Sequence, residues 1–520
     1  MKKTIRIHYD ATRTEEREIN YIPFRYIIAI LLAVLETLAV ISIVILLSYY
    51  VPYFYLAMWI TEIATIIYII ASDGNADYKI PWLIVVMVIP VGGLMLYLMF
   101  GSRKLKKKFI RRLDAMRDVC PTDDSAVLAH LEQVSPDACD QAKILRRIAN
   151  CHVFTNTTQQ YFPLGEEMFP QLLADLRKAE KFIFMEYFII EEGKFWNPIL
   201  EILKEKAAAG VDVKVLYDDI GCMMTLPGDY DKILRRSGID AVPFSKLKGN
   251  ADSEFNNRSH RKITVIDGKV GYTGGINLAD EYINEVVKHG HWKDVGLRLE
   301  GEAVQELTRL FLTDYCINVR SVQDSPVDYF PSYRADGDGF VIPFGDGPMP
   351  IYKRRVGQTV IEDLLNHAHR SVWIMTPYLI IDNQLCTCIE NAALRGVDVR
   401  ILLPHIPDKK IVFEMARSHY HRLMDAGVQI YEYEPGFVHA KVYLADGETA
   451  MVGTINMEYR SLVHHFENGV WMHRCAAVDR IREDFEATFR KCIRMTKDNT
   501  RWNLPQRFVR AVLKVFAPML

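Results

Sequence analysis

Two different hydrophobic patterns divide the chain. The first hundred residues contain three long apolar runs, Tyr26 to Leu47, Tyr53 to Ala71 and Pro81 to Phe100, in which two glutamates are the only charged residues. Each run is close to the roughly 20 residues that cross a bilayer as a helix. The pattern therefore predicts that residues 1–100 form a transmembrane anchor of two to three helices.

A basic cluster follows the third apolar run. Seven of the ten residues from Arg103 to Arg112 are Lys or Arg, which by the positive-inside rule places the residues downstream on the cytoplasmic side. The tail before Tyr26 is also basic, so either one run does not fully cross or the tail is exported against its charge. We expect a multi-pass protein of the cell membrane, with residues 101–150 as a basic juxtamembrane helical linker and the catalytic domains facing the cytoplasm.

Beyond residue 150, strand-like and helix-like apolar patterns alternate, and the same order of features occurs twice. Residues 151–335 and 336–500 each contain β-branched strands followed by helices, with Gly at helix ends before the next strand. The segment GVDV at 210–213 recurs letter for letter at 396–399. The pattern predicts two tandem α/β domains related by a pseudo-twofold duplication, followed by a C-terminal amphipathic segment at 501–520.

Each half contains one copy of the motif HxKxxxxD followed by GxxN. The two copies comprise His260, Lys262, Asp267 and Asn277, then His439, Lys441, Asp446 and Asn456. A His and a Lys two apart on a strand face the same side, so each copy presents one imidazole and one ammonium to a common surface. An imidazole can attack phosphorus or move a proton, and an ammonium can bind a phosphate oxygen.

The other residues of each motif have supporting interpretations. Each Asp is followed by Gly, the strongest short hairpin signal, so within the catalytic motif we interpret Asp267 and Asp446 chiefly as turn and support residues. The amides of Asn277 and Asn456 are predicted to lie beside the same phosphate oxygens. The first half contains a segment near its motif, Ser245–Phe255, that the second half lacks. We interpret this insertion as a flexible lip.

Two such half-sites facing each other can perform a reaction that one cannot. One neutral His would form a phosphohistidine, and the other, protonated, would donate to the leaving alkoxide and later deprotonate the incoming alcohol. The second nitrogen of each imidazole needs a partner, and Asp294 and Glu467 are the candidate carboxylates. The residues alone leave open which His attacks.

Composition excludes several other classes of function. With 63 basic and 65 acidic residues the net charge is -2, so there is no global footprint for nucleic acid. The nine cysteines are scattered without a CxxC spacing, which favours reduced thiols over a disulfide framework or a zinc ribbon. The adjacent His464 and His465 are interpreted as surface or core histidines, because no carboxylates or cysteines cluster with them in the sequence.

At these motifs the sequence resembles the phospholipase D superfamily, and more closely the bacterial cardiolipin synthases of the phospholipase D type. The resemblance covers nearly the whole chain, including WLIVVMVIPVGGLMLYLMFG before the first half, NNRSHRKITVIDG around the first motif and RWNLPQRFVRAVLKVFAPML at the end. Gly275 and Thr454 stand where the family often has Ser.

The resemblance implies a reaction, its partners and a location. A phosphatidyl group would pass from one phosphatidylglycerol to a His, with His260 favoured, releasing glycerol, and then to the hydroxyl of a second phosphatidylglycerol. The exchange would need no cofactor and no metal, because two Lys and two Asn already serve the phosphate. The partners would be phosphatidylglycerol and the lipid bilayer of a bacterial cell membrane, without nucleic acid. The alternative is a phospholipase D-type hydrolase, in which water attacks the phosphohistidine.

Overall fold

A computed structural model describes most of the chain. It covers residues 2–10, 13–20, 24–50, 53–72, 75–89, 92–101, 123–246, 256–319, 328–349, 351–352, 354–500 and 503–519. The basic cluster from Arg103 to Arg112 and most of the insertion Ser245–Phe255 lie outside the described residues.

The N-terminal region consists of a β-hairpin and a series of helices. In chain order these are β1 (Lys2–Asp10), β2 (Arg13–Asn20), α1 (Phe24–Tyr50), α2 (Phe54–Ala71), α3 (Ala76–Val88), α4 (Gly92–Leu96) and a π-helical turn (Tyr97–Gly101). Among the described helices, none combines the length and the apolar character needed to cross a membrane.

The third predicted span is not one helix. The sequence predicted a continuous run over 81–100, whereas α3 begins earlier, at Ala76, and ends at Val88. Its 13 residues extend about 20 Å, less than the roughly 30 Å of a hydrocarbon core. The helix ends there because Pro90 follows Ile89 and the residue before a proline is disfavoured in the helical conformation. Near its start α3 docks onto the second half: the Tyr78 hydroxyl donates to the Tyr459 carbonyl at 3.2 Å, and the two rings meet edge to face.

The first half, from residue 151 onward, is a sheet covered by helices. Its strands are β3 (Thr157–Phe162), β4 (Phe182–Tyr187), β5 (Asp212–Asp218), β6 (Asp240–Phe244), β7 (Ile263–Ile266), β8 (Val270–Gly274), β9 (His291–Lys293) and β10 (Gly296–Gly301). Its helices, numbered after α5 (Ser125–Val134) and α6 (Pro136–Ala149), are α7 (Gly165–Arg177), α8 (Trp196–Ala208), α9 (Tyr230–Arg236) and α10 (Val304–Asn318), with a 3-10 turn at Asp280–Ile283. The seven-stranded sheet has the order β3-β10-β8-β7-β4-β5-β6.

The second half repeats this arrangement. Its strands are β11 (Phe340–Asp346), β12 (Ser371–Met375), β13 (Leu379–Ile380), β14 (Asp398–Pro404), β15 (Gln429–Tyr433), β16 (Gly436–Val438), β17 (Val442–Ala445), β18 (Thr449–Gly453), β19 (Met457–Glu458), β20 (Glu467–His473) and β21 (Cys492–Arg494). Its helices are α11 (Val356–His367), α12 (Asn383–Leu394), α13 (Lys410–Arg417), α14 (Tyr420–Asp425), α15 (Tyr459–Val463), α16 (Ala476–Phe489) and α17 (Leu504–Phe516), with a 3-10 turn at Ala517–Met519. The eight-stranded sheet has the order β11-β20-β18-β17-β12-β14-β15-β21.

The two sheets have the same topology strand for strand, apart from the extra edge strand β21. In each, three strands run parallel, β4-β5-β6 or β12-β14-β15, and the remaining pairs are antiparallel. The repeated GVDV has a conformational cause, since Gly210 and Gly396 end a helix at φ +90° and +93° with open space around them. The prediction of two tandem α/β domains is confirmed.

The halves meet across a shared core and short crossing strands. Apolar side chains of both sheets, among them Phe184, Val265, Leu444 and Val452, belong to one buried cluster. At the edge of this core β9 of the first half pairs in parallel with β16 of the second. The helices α5 and α6, predicted as part of a linker, pack on the second half, where Trp471 Nε1 donates to Gln141 at 3.0 Å.

Candidate active site

Both motif histidines lie where the two halves cross. His260 precedes β7 and His439 precedes β17, and each backbone amide donates to a carbonyl of the other half. The His260 amide bonds the Phe466 carbonyl at 2.8 Å, and the His439 amide bonds the Lys293 carbonyl at 2.7 Å. The duplication therefore brings the two imidazoles to one interface.

The predicted carboxylates hold the imidazoles across that interface. His260 Nδ1 lies 2.9 Å from Glu467 Oε2, and His439 Nδ1 lies 2.7 Å from Asp294 Oδ2. Both carboxylates are completely buried. Each half thus supplies the imidazole of one pair and the carboxylate of the other, a crossing that the sequence did not reveal.

Burial sets the protonation of these pairs. It lowers the pKa of His260 to about 3 and that of His439 to about 4, against the attraction of the carboxylates. Burial opposes ionisation of Glu467, but the charge and hydrogen bond of His260 outweigh it and hold the pKa of Glu467 well below its usual range. The pairing is a neutral imidazole whose Nδ1–H donates to a carboxylate, which leaves the Nε2 lone pair available for attack.

The two motif lysines are buried beside the histidines. Burial lowers the pKa of Lys262 to about 7 and that of Lys441 to about 8, although the nearby carboxylates oppose the shift. Lys262 Nζ donates to the His260 carbonyl at 2.7 Å, and Lys441 Nζ donates to the His439 carbonyl. A bound phosphate anion would favour the protonated form of both lysines, so the site gains positive charge when such a ligand enters.

The motif aspartates lie at the opposite ends of β7 and β17 from the histidines. Both adopt the left-handed conformation, with φ 52° at Asp267 and 55° at Asp446. Each carboxylate accepts three backbone N–H groups, from Glu180, Lys181 and Phe182 or from His369, Arg370 and Ser371. The structure does not bring these aspartates to the imidazoles; they fix the start of β4 and β12.

Replacing either aspartate with Asn should affect stability more than chemistry. Asn keeps the left-handed backbone but loses the charge that accepts three N–H groups. For the buried Asp267→Asn we expect about 1–3 kcal/mol less stability, with a smaller loss for the more exposed Asp446→Asn. Denaturant unfolding and turnover per folded molecule test this, and a large drop in turnover without a change in unfolding would assign these carboxylates to the chemistry instead.

The two motif asparagines make local contacts. Asn277 accepts the Ile189 amide at 3.1 Å and donates to the Tyr282 hydroxyl at 2.8 Å, so both ends of its amide are engaged. Asn456 Nδ2 donates to Glu458 at 2.8 Å, while its Oδ1 is buried without a hydrogen-bond partner among the described residues. Their contact with a phosphate stays a prediction.

The two orienting carboxylates are supported differently. Glu467 accepts the Ser461 hydroxyl at 2.7 Å and also the Thr454 hydroxyl. The position equivalent to Thr454 in the first half is Gly275, where a Cβ would lie 2.0 Å from Asp294 Oδ1. Gly275 therefore has a physical reason, because Asp294 lies too close for a side chain there, whereas Thr454 keeps a hydroxyl that Glu467 accepts.

Sequence reasoning missed two buried residues of the site. Arg261, between the motif His and Lys, donates to the Glu467 carbonyl at 3.0 Å and pairs with Asp314 at 2.9 Å. His465, interpreted as a surface or core histidine, forms with His260 and Glu467 a group whose ligand atoms lie within 4.8 Å of one another, close enough to hold a metal ion. The position of Arg261 between the motif His and Lys was the signal that could have identified it. Nothing in the sequence linked His465 to His260.

Comparisons with known proteins place this geometry in a family. Residues 172–313 and 361–489 match the family described as "Cardiolipin synthase, PLD-like domain", and residues 63–102 match "Phospholipase D-nuclease N-terminal". An uncharacterized protein of Streptococcus mutans is 40% identical over 464 residues, covering 88% of this chain and all of that protein. The cardiolipin synthase of Geobacillus kaustophilus is 37% identical over 424 residues, covering 79% of this chain and 82% of that enzyme.

A solved structure supports the fold. The crystal structure of a phosphatidylserine synthase from Haemophilus influenzae superposes with a TM-score of 0.56. The match covers 73% of this chain and 97% of that enzyme at 16% sequence identity. At that identity the likeness concerns the tandem fold alone.

Proposed function

The chain belongs to the cardiolipin synthases with phospholipase D-like domains, and from this membership and the site we propose that it transfers a phosphatidyl group from one phosphatidylglycerol to another. The products are cardiolipin and glycerol. The observation that supports the proposal best is the pair of crossed imidazole–carboxylate contacts, which supplies a nucleophile and a separate proton donor in one interface.

In the first half-reaction a neutral imidazole attacks phosphorus. A bond forms between His260 Nε2 and phosphorus, and the bond from phosphorus to the glycerol oxygen breaks. His439, whose protonated form the bound anionic phosphodiester favours, gives its Nε2 proton to that oxygen, so glycerol leaves as an alcohol. Lys262 and Lys441 neutralise the charge on the non-bridging oxygens.

In the second half-reaction the roles reverse. The neutral His439 takes the proton from a hydroxyl of the second phosphatidylglycerol, whose oxygen attacks the phosphohistidine. The bond from phosphorus to His260 breaks, and a phosphodiester replaces the one consumed. Glu467 stabilises the positive charge of the phosphorylated imidazole, since its carboxylate lies 2.9 Å from the other ring nitrogen. No nucleotide is needed, because one phosphodiester is exchanged for another.

The test is to incubate the purified full chain in detergent, with EDTA present, with phosphatidylglycerol labelled in its headgroup and acyl chains. Cardiolipin and free glycerol in equal amounts are expected, and EDTA should leave the rate unchanged because the lysines supply the positive charge. Phosphatidic acid without cardiolipin would establish the hydrolase instead. Loss of activity in EDTA, restored by a metal, would show that the reaction needs a metal, for which the group of His260, His465 and Glu467 would be the candidate site.

The N-terminal region is the proposed site of contact with the bilayer. Large apolar side chains of α1 and α2 are exposed on the protein, including Leu35, Ile45, Trp59 and Ile67. Such a surface is typical of lipid contact. We retain the predicted anchor as a proposal on this basis, with the catalytic domains on the cytoplasmic side as the basic cluster from Arg103 to Arg112 favours.

The C-terminal helix α17 is a second proposed site of contact with the bilayer. One face docks on the body through Arg510, which bonds Glu414 at 2.8 Å, whereas Leu504, Phe508 and Val512 remain exposed. An exposed apolar stripe on a helix with flanking cations is typical of an interfacial segment. A fluorophore on Phe508→Cys should shift to the blue with vesicles containing phosphatidylglycerol, whereas one on the exposed His369→Cys should not; equal responses would contradict the assignment.

A further inference from the structure

Two loops, one from each half, lie side by side on the surface. The first, 284–290, follows the 3-10 turn of the first half, and the second, 405–411, leads from β14 into the first turn of α13. The Ile406 amide donates to the Gly436 carbonyl at 3.3 Å. A Cβ on Gly290 would lie only 3.1 Å from Ile406 Cδ1. The two loops therefore touch where the halves cross.

Both loops border the second motif histidine. The first loop runs directly into β9, which pairs with β16, and His439 follows β16 directly. The ring of Phe437 lies 6.0 Å from that of His439 and 6.1 Å from that of His289 in the first loop. It also lies 6.5 Å from the ring of Tyr378, over which Lys409 of the second loop is placed at 5.7 Å. Aromatic contacts thus join both loops to one side of the active site.

The loops expose apolar side chains beside cations. Val287 is 78% exposed and Ile411 59% exposed, large fractions for apolar side chains so close to a catalytic site. The two lysines of the second loop are exposed as well. We call this set the mouth surface, and it consists of Val286, Val287, Ile406, Lys409, Lys410 and Ile411.

The acidic residues of the two loops are engaged with other groups. Glu285 bonds Lys194 at 2.6 Å, and Asp408 accepts the Tyr378 hydroxyl at 2.6 Å. The mouth surface therefore combines apolar side chains with positive charge. This combination is complementary to a bilayer of anionic lipids, in which apolar side chains enter between the headgroups and lysines face the phosphates.

The mouth surface is continuous with the region already proposed to contact the bilayer. One small apolar cluster contains Tyr78 of α3, Met415 of α13 and Ala517, which directly follows α17. The start of α12 also contacts α3, because the Asn383 amide donates to Asp77 at 2.7 Å. Since the second loop leads into α13, the loops, α13, α17 and α3 form one connected series of elements.

We propose that the mouth surface docks on the bilayer, so that phosphatidylglycerol reaches the site beside His439 directly from the lipid leaflet. The proposal rests on the proposed function and deepens it, since it names the route by which the substrate enters. A lipid with two acyl chains that crossed water would expose all its methylene groups, which is costly. Docking the mouth on the leaflet removes that step.

The first test measures contact with lipid and requires no turnover. The full chain, with a fluorophore on Val287→Cys, is reconstituted in vesicles of equal parts phosphatidylcholine and phosphatidylglycerol that contain a doxyl-labelled lipid as quencher. The matched control is Leu394→Cys, at a leucine that is 70% exposed. Leu394 lies at the end of α12 remote from α3, and the helix extends about 18 Å over its 12 residues.

We expect the lipid to quench the fluorophore at 287 and not at 394, with the unsubstituted chain, treated with the same label, as background. Absence of quenching at 287, or equal quenching at both positions, would overturn the proposal. Self-quenching at 287 that increases with protein concentration, without quenching by the doxyl lipid, would assign the surface to a second copy of the chain and overturn it too. Since no reaction is followed, failure of the proposed function leaves this test intact.

The second test compares two forms of the substrate. For Val287→Asp we expect release of labelled glycerol from long-chain phosphatidylglycerol in vesicles to fall about tenfold, because a charge replaces an apolar group that enters the interface. Lys410→Gln should lower the same rate about fivefold, as for one lysine near an anionic surface. Leu394→Asp should match wild type.

The losses should disappear with a short-chain phosphatidylglycerol that dissolves as monomers, since such a substrate needs no docking. Equal losses on both substrates would place the defect in the site itself and overturn the proposal. If Val287→Asp does not fold, Lys410→Gln still decides, because its loss must be confined to the vesicles. Wild-type protein that releases no glycerol from either substrate would refute the proposed function, whereas the quenching at 287 would still test the docking.

Discussion

His439→Ala is expected to slow cardiolipin formation by about 10²- to 10⁴-fold while leaving the nucleophile able to react. With a phosphatidyl ester of 4-nitrophenol, whose leaving group departs without a proton, the variant should release one equivalent of nitrophenol in a burst. It should then stop with the phosphatidyl group on His260, because no base deprotonates the acceptor. Peptides from enzyme denatured at alkaline pH, where the P–N bond of phosphohistidine is stable, locate the phosphoryl group by mass spectrometry.

The reciprocal variant should behave differently. His260→Ala removes the nucleophile, so we expect no burst, no phosphohistidine and a loss of roughly a millionfold. His369→Ala, which changes an exposed histidine paired with Asp137, is the control and should match wild type. A phosphohistidine on residue 439 in His260→Ala, with none on residue 260 in His439→Ala, would reverse the assignment.

Glu467→Gln should lower turnover by about 10³-fold with little change in KM. The carboxylate holds the Nδ1–H tautomer of His260 and balances the charge of the phosphorylated ring, and an amide does neither reliably. Comparable carboxylate-to-amide changes in other enzymes lower turnover by up to about 10⁴-fold. Asp294→Asn should have a similar effect on the other imidazole. Rapid-quench kinetics distinguish the two variants. Glu467→Gln should suppress the burst, and Asp294→Asn should also slow the later turnover by the acceptor.

Glu432→Gln provides a matched control for these variants. Glu432 is also a completely buried carboxylate bonded to a histidine, since its Oε2 lies 2.9 Å from His405 Nδ1, but it lies outside both motifs. Its replacement should reduce stability and leave turnover per folded molecule near wild type. Equal losses of turnover in all three variants would show that general destabilisation, and not the charge on the two motif imidazoles, is responsible.

Much of the fold could be predicted from the sequence because its signals are local. Strand periodicity and the repeated GVDV segments, each with a Gly in a left-handed conformation, determine two similar sheets. The single helix predicted over 81–100 was wrong, because the residue before Pro90 is disfavoured in the helical conformation, and α3 docks on the second half through Tyr78 and Tyr459. Hydropathy describes how apolar a run is but not what covers it.

The site was predictable as a set of residues and less so as an arrangement. The spacing of His260 and Lys262 indicates a shared face, and the Asp267–Gly268 pair indicates a turn, as β7 and β8 display. The crossing of each imidazole to the carboxylate of the other half depends on how two domains dock, which no local pattern encodes. For the same reason His465 could not be linked to His260, and the ends of the predicted domains at 335 and 500 stay predictions.

The crossed pairs also constrain how such a chain could arise. A single half contains an imidazole without its carboxylate and a carboxylate without its imidazole, so one repeat alone could complete a site only by meeting a second copy of itself. In such an assembly both half-sites would be identical, and each substitution would alter both. Joining the repeats in one chain removes that constraint. The two copies have since become different at two pairs of equivalent positions, Gly275 with Thr454 and Trp292 with His465.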